Sequence, residues 1–350
     1  MPTAPTTPVA LAAELADLGR AEGLDHVGIA PAAPMARARA ALEERKAAGL
    51  HAGMQFTYKH PARSTTPRQA VPGAQAVVVG ARSYLMAEPA APPRSCGRVA
   101  RYAWVDHYAP LRSALWAVAR RLRADGWKAV VFADDNSLVD REAAWLAGLG
   151  WFGKNANLLL PAHGSWFVLG GVVTDAPLPP AAAPVADGCG GCRRCLDACP
   201  TGAIVAPGVV DANRCLAWLV QRPGSFPVEH RAALGDRIYG CDDCQEVCPP
   251  NVRFGAARPA DPAARAWVPL VEMLTATDDE LLARHGRWYI AERDPRWLRR
   301  NALVALGNVG DPTDRAVVAV VEQYRSHPDP ILREHATWAA TRLAAPAGRP

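Results

Sequence analysis

The sequence predicts an α+β protein in three parts. These are an N-terminal α/β domain over residues 1–178, a cysteine-rich domain over 179–255 and a helical region over 256–350. Helix-like and strand-like apolar patterns alternate along the first part, and eight of the nine cysteines fall between Cys189 and Cys248. The last part is helical in pattern and rich in Arg and Trp, and Pro-rich stretches separate the three parts.

The composition is that of a folded globular protein. Of the 350 residues, 50% are hydrophobic and 21% are charged, and the net charge of +5 is only mildly basic. No apolar run reaches the roughly 18 residues that a membrane-spanning helix needs, and the first ten residues do not resemble a secretory signal. We therefore expect a cytoplasmic protein that does not enter the membrane. In that compartment, clustered cysteines bind metals more often than they form disulfides.

The first part begins with apolar residues at helical spacing, followed by a short strand. Further strands are predicted over 74–84, 127–135 and 165–173, and further helices over 111–126 and 138–150. The segment "GLGWFGKN" (148–155) predicts a tight turn that a ligand can approach, because its glycines leave the backbone open. This part contains neither a G-x-G-x-x-G motif nor a P-loop, so a dinucleotide site of the Rossmann type is not indicated.

The cysteine-rich part carries the spacing of a bacterial ferredoxin, C-x2-C-x2-C-x3-C-P, from Cys189 to Pro200. A second, incomplete copy ends at Cys248, and Cys215 is available as its missing ligand. In two-cluster ferredoxins the fourth cysteine of each run binds the other cluster, which predicts two 4Fe-4S clusters. The first would use Cys189, Cys192, Cys195 and Cys248; the second would use Cys199, Cys215, Cys241 and Cys244. Zinc ribbons are the alternative, and Cys96, in a polar loop, is expected to be an ordinary thiol.

The helical region contains two similar segments. "LREHATWAATR" begins at Leu332, 34 residues after "LRRNALVALGN" begins at Leu298. That offset is typical of helical solenoids and predicts HEAT-like repeats; two unrelated amphipathic helices are the alternative.

Three stretches together resemble the epoxyqueuosine reductases, which are cobalamin-dependent, iron–sulfur, tRNA-modifying enzymes. They are "FADDNSLVDREAAWLAGLGWFGKN" (132–155), "GSWFVLGGVVTD" (164–175) and the double-cluster cysteines. "MQFTYKHPARSTTPRQAVPGAQAVVV" (54–79) also resembles the family pattern, although Thr66 stands where the family commonly has Asp. The loop "YAWVDHY" (102–108) departs from the family's usual Y-A-x-G-x-D-Y-H.

The resemblance implies the reduction of epoxyqueuosine to queuosine at the wobble position of tRNA, with cob(I)alamin attacking the epoxide and electrons coming from the clusters. Asp134 would be the general acid, since a carboxyl whose pKa is raised by burial can protonate the opening alkoxide. An Asp that only caps its turn is the alternative, and Asp135 is the neighbour with which it could be confused. Expected cobalamin contacts, base-off and without a protein histidine on cobalt, are Arg63, Asp134, Arg141, Lys154, Asn155, Leu158 and Leu169.

The expected partners are an anticodon loop and an external low-potential electron donor, and the chain is expected to be monomeric. Six arginines and three aromatic residues crowd positions 284–300, a composition that suits phosphates and unstacked bases but also a solvated helical face. The expected tRNA contacts are Arg222, Arg296, Arg299 and Arg300. Two other functions stay open: a corrinoid reductase of another substrate, similar to reductive dehalogenases, and a two-cluster electron-transfer module.

Overall fold

A computed structural model describes residues 7–56, 58–89, 94–254 and 258–345. The strands are β1 (His26–Pro31), β2 (Ala76–Ser83), β3 (Cys96–Val99), β4 (Ala129–Phe132), β5 (Trp151–Phe152), β6 (Leu158–Leu159), β7 (Phe167–Thr174), β8 (Ile204–Ala206), β9 (Val209–Val210), β10 (Arg237–Tyr239) and β11 (Trp267–Pro269). The helices are α1 (Pro8–Ala21), α2 (Ala36–Ala47), α3 (Pro61–Ser64), α4 (Tyr108–Ala124), α5 (Asp140–Leu146), α6 (Arg194–Asp197), α7 (Leu216–Leu219), α8 (Val228–Leu234), α9 (Asp243–Glu246), α10 (Pro249–Phe254), α11 (Leu270–Thr275), α12 (Asp278–His285), α13 (Arg296–Val309), α14 (Arg315–Arg325) and α15 (Pro330–Ala344).

The N-terminal part is built on a four-stranded sheet in the order β1-β2-β7-β4. The central strands β2 and β7 are apolar on both faces, because helices cover both. Val78 on one face packs in a core with α1 and α4, and Val77 on the other packs in a core with α2 and α5. The predicted strands and helices of this part are therefore present, within a few residues of their expected ends.

The sheet is antiparallel throughout, which corrects one expectation. The alternation of helix and strand favoured an α/β arrangement, whose strands run parallel, but β1–β2, β2–β7 and β4–β7 all pair in opposite directions. The rule that ligands bind at the carboxyl edge of a parallel sheet therefore does not apply here. Asp134 lies just after the end of β4, near the end of the strand predicted over 127–135.

A second sheet, in the order β10-β3-β11, takes one strand from each of the three predicted parts. Its residues share one core with the C-terminal helices, so the three parts are not structurally separate bodies. Cys96 lies in β3 and is buried, rather than in the polar loop that its sequence neighbours suggested.

The C-terminal helices include both of the similar segments, which lie in α13 and α15. The two helices approach closely at Gly307, where an added Cβ would stand 2.8 Å from the Trp338 ring and 2.9 Å from the Ala339 Cα. In the part of the chain that the structure describes, none of the helices combines the length and the hydrophobicity needed to cross a bilayer.

Candidate active site

Asp134 occupies a tight turn after β4 with a left-handed backbone, φ +55°. Asp is one of the few residues other than Gly that tolerate this conformation. The turn is held by Asp135, whose carboxylate accepts hydrogen bonds from the backbone N–H groups of Ala133 (3.3 Å) and Ser137 (2.7 Å). Asp135 therefore caps the turn. The carboxylate of Asp134 is half-exposed and takes no part in the cap.

The surroundings of Asp134 favour its protonated form. Among the described residues its carboxylate has one close charged partner, the Arg112 guanidinium at 3.9 Å. Burial raises its pKa, the charge of Arg112 opposes that rise, and the carboxylates of Asp140, Asp135 and Asp106 add to it. A carboxyl of this kind can deliver a proton at a higher pH than an ordinary Asp.

Two tyrosines lie close enough for the charge of Asp134 to affect their pKa, and sequence reasoning missed both. The charge of Asp134 acts on both Tyr108 and Tyr239, and burial raises the pKa of each phenol. Tyr84, also buried, forms a hydrogen bond with Gln245 in the second cysteine run. The partly matching loop 102–108 was the available sequence signal, since Tyr108 is its last residue.

A continuous set of contacts leads from α5 to the cysteine loops. Arg141, in the first turn of α5, donates to the carbonyl of Ala156 at 3.1 Å. In the turn that contains Ala156, Lys154 donates to the carbonyls of Gly190 (2.6 Å) and Cys192 (2.9 Å), and Asn155 donates to the carbonyl of Cys244 (3.2 Å). The structure thus places Lys154 and Asn155 on the backbone of the cysteine loops.

The remaining residues expected to contact cobalamin differ in exposure. Arg63 lies on the surface at the end of α3. Leu158 and Leu169 are only 4% and 6% exposed and pack in the core beneath the sheet, so they offer little surface to a large planar ligand. Both side chains pack against apolar neighbours without a ligand, as buried leucines in strands usually do.

The eight clustered cysteines are all free thiols, and their effects on one another's pKa fall into two sets. Burial raises the pKa of the Cys248 thiol, and the charges of Cys189, Cys192 and Cys195 raise it further. Cys215 interacts with Cys199 and Cys241, and Cys244 interacts with Cys241 and Cys215. Burial raises the pKa of Cys244, and the charge of Cys195 adds to that rise, which indicates that the two sets are neighbours. Across the described residues, no three His, Cys, Asp or Glu side chains are arranged to hold a single metal ion.

Three of the four arginines expected to bind tRNA make contacts within the protein, and the buried Arg300 has no surface to offer an RNA. Arg300 is fully buried and donates to the carbonyls of Leu219, Val220, Arg222 and Gly224. Arg299 pairs with Asp278, and Arg296 pairs with Asp294 (2.7 Å) and Asp329 (2.9 Å).

The aromatic residues of the same run are partly structural as well. Trp288 stacks on Tyr239 with ring centroids 4.6 Å apart, and Trp297 is buried, whereas Tyr289 is exposed. Charge and aromatic content alone did not distinguish a helix that anchors its neighbours from one that faces RNA.

Comparison with known proteins places this geometry in a family. The model of the 4Fe-4S double cluster binding domain matches residues 188–251, and that of epoxyqueuosine reductase QueG matches residues 65–135. The epoxyqueuosine reductase of Pseudomonas aeruginosa is 36% identical over 322 residues, which cover 87% of each chain. The chain belongs to the epoxyqueuosine reductase family. It is therefore an oxidoreductase, as the resemblance implied.

Solved epoxyqueuosine reductases share the whole architecture. The Bacillus subtilis enzyme, solved with an aspartate-bearing catalytic loop swung out of the active site, superposes with a TM-score of 0.87 at 29% identity, covering 96% of this chain and 91% of its own. A reductase solved with an epoxyqueuosine-modified tRNA stem loop superposes with a TM-score of 0.86 at 29% identity and the same coverage.

Proposed function

We propose that this protein reduces epoxyqueuosine to queuosine in tRNA, with Asp134 as the general acid and the two cysteine groups holding 4Fe-4S clusters. The observation that carries the proposal is the state of Asp134: a half-exposed carboxyl with a raised pKa, in a turn that its neighbour Asp135 already caps. Family membership and the double-cluster domain support the same reaction.

The balance of the reaction explains why an acid is needed. Removing the epoxide oxygen takes up two electrons and two protons and releases water. Opening the ring leaves a negative charge on oxygen, and a carboxyl within reach of that oxygen neutralises it. Asp134 has the required exposure, while Tyr108 and Tyr239, whose charge-sensitive phenols have pKa values raised by burial, stay protonated beside it.

The donor sets fit the proposed cofactors to different degrees. Eight thiols in two groups of four suit two clusters, and the backbone N–H of Ala203 donates to the Cys199 sulfur at 3.2 Å, a contact that tunes cluster potentials. Bound cobalamin would supply the nucleophile that opens the epoxide. Asp134, Arg141 and Arg63 remain exposed and could contact it, whereas the buried Leu158 and Leu169 do not suit that role.

For the tRNA, the proposal rests on fewer residues than the sequence suggested. Arg222 is half-buried, and its guanidinium has no partner within the described ranges, although its carbonyl receives Arg300. Tyr289 is 56% exposed and available to stack on a base. The relative solved with a modified stem loop supports tRNA as the partner of this chain as well.

An anaerobic assay tests the proposal. Protein with reconstituted clusters is incubated with epoxyqueuosine-containing tRNA and a strong chemical reductant, with and without cobalamin, and the nucleosides are identified by mass spectrometry. Queuosine is expected only with cobalamin. Equal conversion without cobalamin would refute the corrinoid, and no conversion by protein with intact clusters and bound cobalamin would refute the substrate.

A further inference from the structure

One surface beside the cysteine groups takes no part in the reaction described above. A pocket of about 470 Å³ is bordered by Cys192, by Arg193 and Arg194 at the start of α6, and by Val252 and Arg253 of α10. All of these except Cys192 are exposed, and Val252 contributes an apolar side chain that is 67% exposed.

The charge at this pocket is positive and largely uncompensated. Arg193 faces Asp197 at 3.8 Å, a contact between two well-exposed side chains that contributes little. Neither Arg194 nor Arg253 has an ion-pair partner in the part of the chain that the structure describes. This contrasts with Arg296 and Arg299, which have ion-pair partners, and with Arg300, whose guanidinium is buried on backbone carbonyls.

The backbone next to the pocket is open to close approach. A Cβ added to Gly190 or Gly191 would meet no atom of the described residues within 4 Å, so the backbone of the Cys189–Cys192 loop is uncovered at these two positions. The same loop is fixed from within by Lys154, which donates to the carbonyls of Gly190 and Cys192. A partner on the outer side would thus lie directly against a rigid loop of the proposed first cluster.

We infer that this basic pocket is the docking site for an acidic protein that carries one electron at a time, such as a flavodoxin or a small ferredoxin. The inference rests on the proposed function, because it names the source of the electrons. Each docking would oxidise the carrier by one electron and reduce the cluster bound through Cys192 by one, so two carriers serve each epoxide. Arginines around an apolar contact suit this task, since charge speeds the encounter and a small apolar centre gives a short-lived complex.

The tRNA is the competing polyanion, and the structure favours the carrier. The pocket borders a cysteine loop, where electrons must enter, and it is lined by Cys192 rather than by Asp134 or a residue of its turn. A surface for an electron donor requires nearness to a cluster, whereas a surface for tRNA requires a path for the modified base to the acid.

Charge reversal tests the inference. The double variant Arg194→Glu and Arg253→Glu is compared with wild type and with Arg120→Glu, a control on an exposed arginine of α4. Photoreduced flavodoxin is the probe. Binding is measured by calorimetry, and cluster reduction by stopped-flow absorbance, each in low and high salt.

At low salt, the double variant is expected to bind flavodoxin about tenfold more weakly, and its cluster is expected to be reduced by flavodoxin about tenfold more slowly. Both quantities should depend less on salt than they do in wild type. Reduction by the small cation methyl viologen should be at least as fast as in wild type, and iron content and queuosine formation with a chemical reductant should match wild type. Unchanged flavodoxin binding and reduction would overturn the inference, as would weaker tRNA binding as the only effect. If wild type itself formed no queuosine with a chemical reductant, the proposed function would be refuted instead.

Discussion

Arg300 is the residue for which the sequence and the structure give opposite roles, and a conservative substitution separates them. Arg300→Lys keeps a positive charge, so a contact to tRNA phosphate would largely survive it. The structure instead uses the shape of the guanidinium: one Nη donates to the carbonyls of Arg222 and Gly224, and the other donates to the carbonyl of Leu219. An ammonium group cannot reach all of these acceptors at once.

The size of the effect follows from the acceptors that lose their donor. The carbonyl of Val220 keeps the amide of Asn301 at 2.7 Å, but at least two of the other carbonyls would be left buried and unpaired. Each such group costs about 1 kcal/mol or slightly more. The free energy of unfolding should therefore fall by about 2–3 kcal/mol, which lowers the thermal midpoint by about 5 °C.

Thermal unfolding and tRNA binding are then measured on the same preparations. The control is Arg296→Lys, because the ion pairs of Arg296 with Asp294 and Asp329 are partly exposed and should change stability by less than about 1 kcal/mol. We expect Arg300→Lys to be less stable but to bind tRNA as wild type does once folded. Wild-type stability combined with weakened tRNA binding would show that the structural role is wrong.

Three further predictions concern the site itself. Cys215→Ser should remove about half of the iron, because Cys215 belongs to only one group of thiols, and a full iron content would contradict the ligand assignment. Lys154→Met should lower iron retention while leaving the Kd for cobalamin unchanged, since Lys154 holds the carbonyls of Gly190 and Cys192; weaker cobalamin binding with full iron would contradict this. The rate of queuosine formation at saturating chemical reductant should fall as pH rises through the pKa of Asp134, which must be protonated to act, and burial moves that fall above the pH of an ordinary Asp. In Asp134→Asn this fall in rate with rising pH should be absent. A pH profile unchanged from wild type would assign the fall to another group.

The sequence could predict the elements whose patterns are local. The apolar runs of β2, β4 and β7 and the amphipathic pattern of α4 depend on neighbouring residues, and all four formed as expected. Strand direction depends instead on how distant segments pair, which is why the antiparallel order was missed. The same limit hid the sheet that joins β3, β10 and β11, since no local pattern reveals a strand shared between distant parts of the chain.

The candidate site divides in the same way. Cysteine spacing is a local signal from which two ligand sets could be proposed, and Asp134 was distinguished from the turn-capping Asp135 by its position in a motif. Burial is not readable from composition. A run of arginines and tryptophans has the same sequence pattern whether its arginines face RNA or, like Arg300, are buried in the protein. Leu169 likewise belongs to a motif without being exposed.

The central claim is that Asp134 supplies the proton at the site of reduction, and a single-turnover measurement tests it most directly. Asp134→Asn keeps the size of the side chain, and its only described ion pair is the 3.9 Å contact with Arg112, so stability should change by less than about 0.5 kcal/mol. Asp135→Asn, one residue away, removes an equal charge as the control. We predict that Asp134→Asn retains iron, cobalamin and tRNA binding but forms queuosine about 10²–10⁴ times more slowly, while Asp135→Asn stays within a few-fold of wild type. Wild-type turnover by Asp134→Asn would contradict the account.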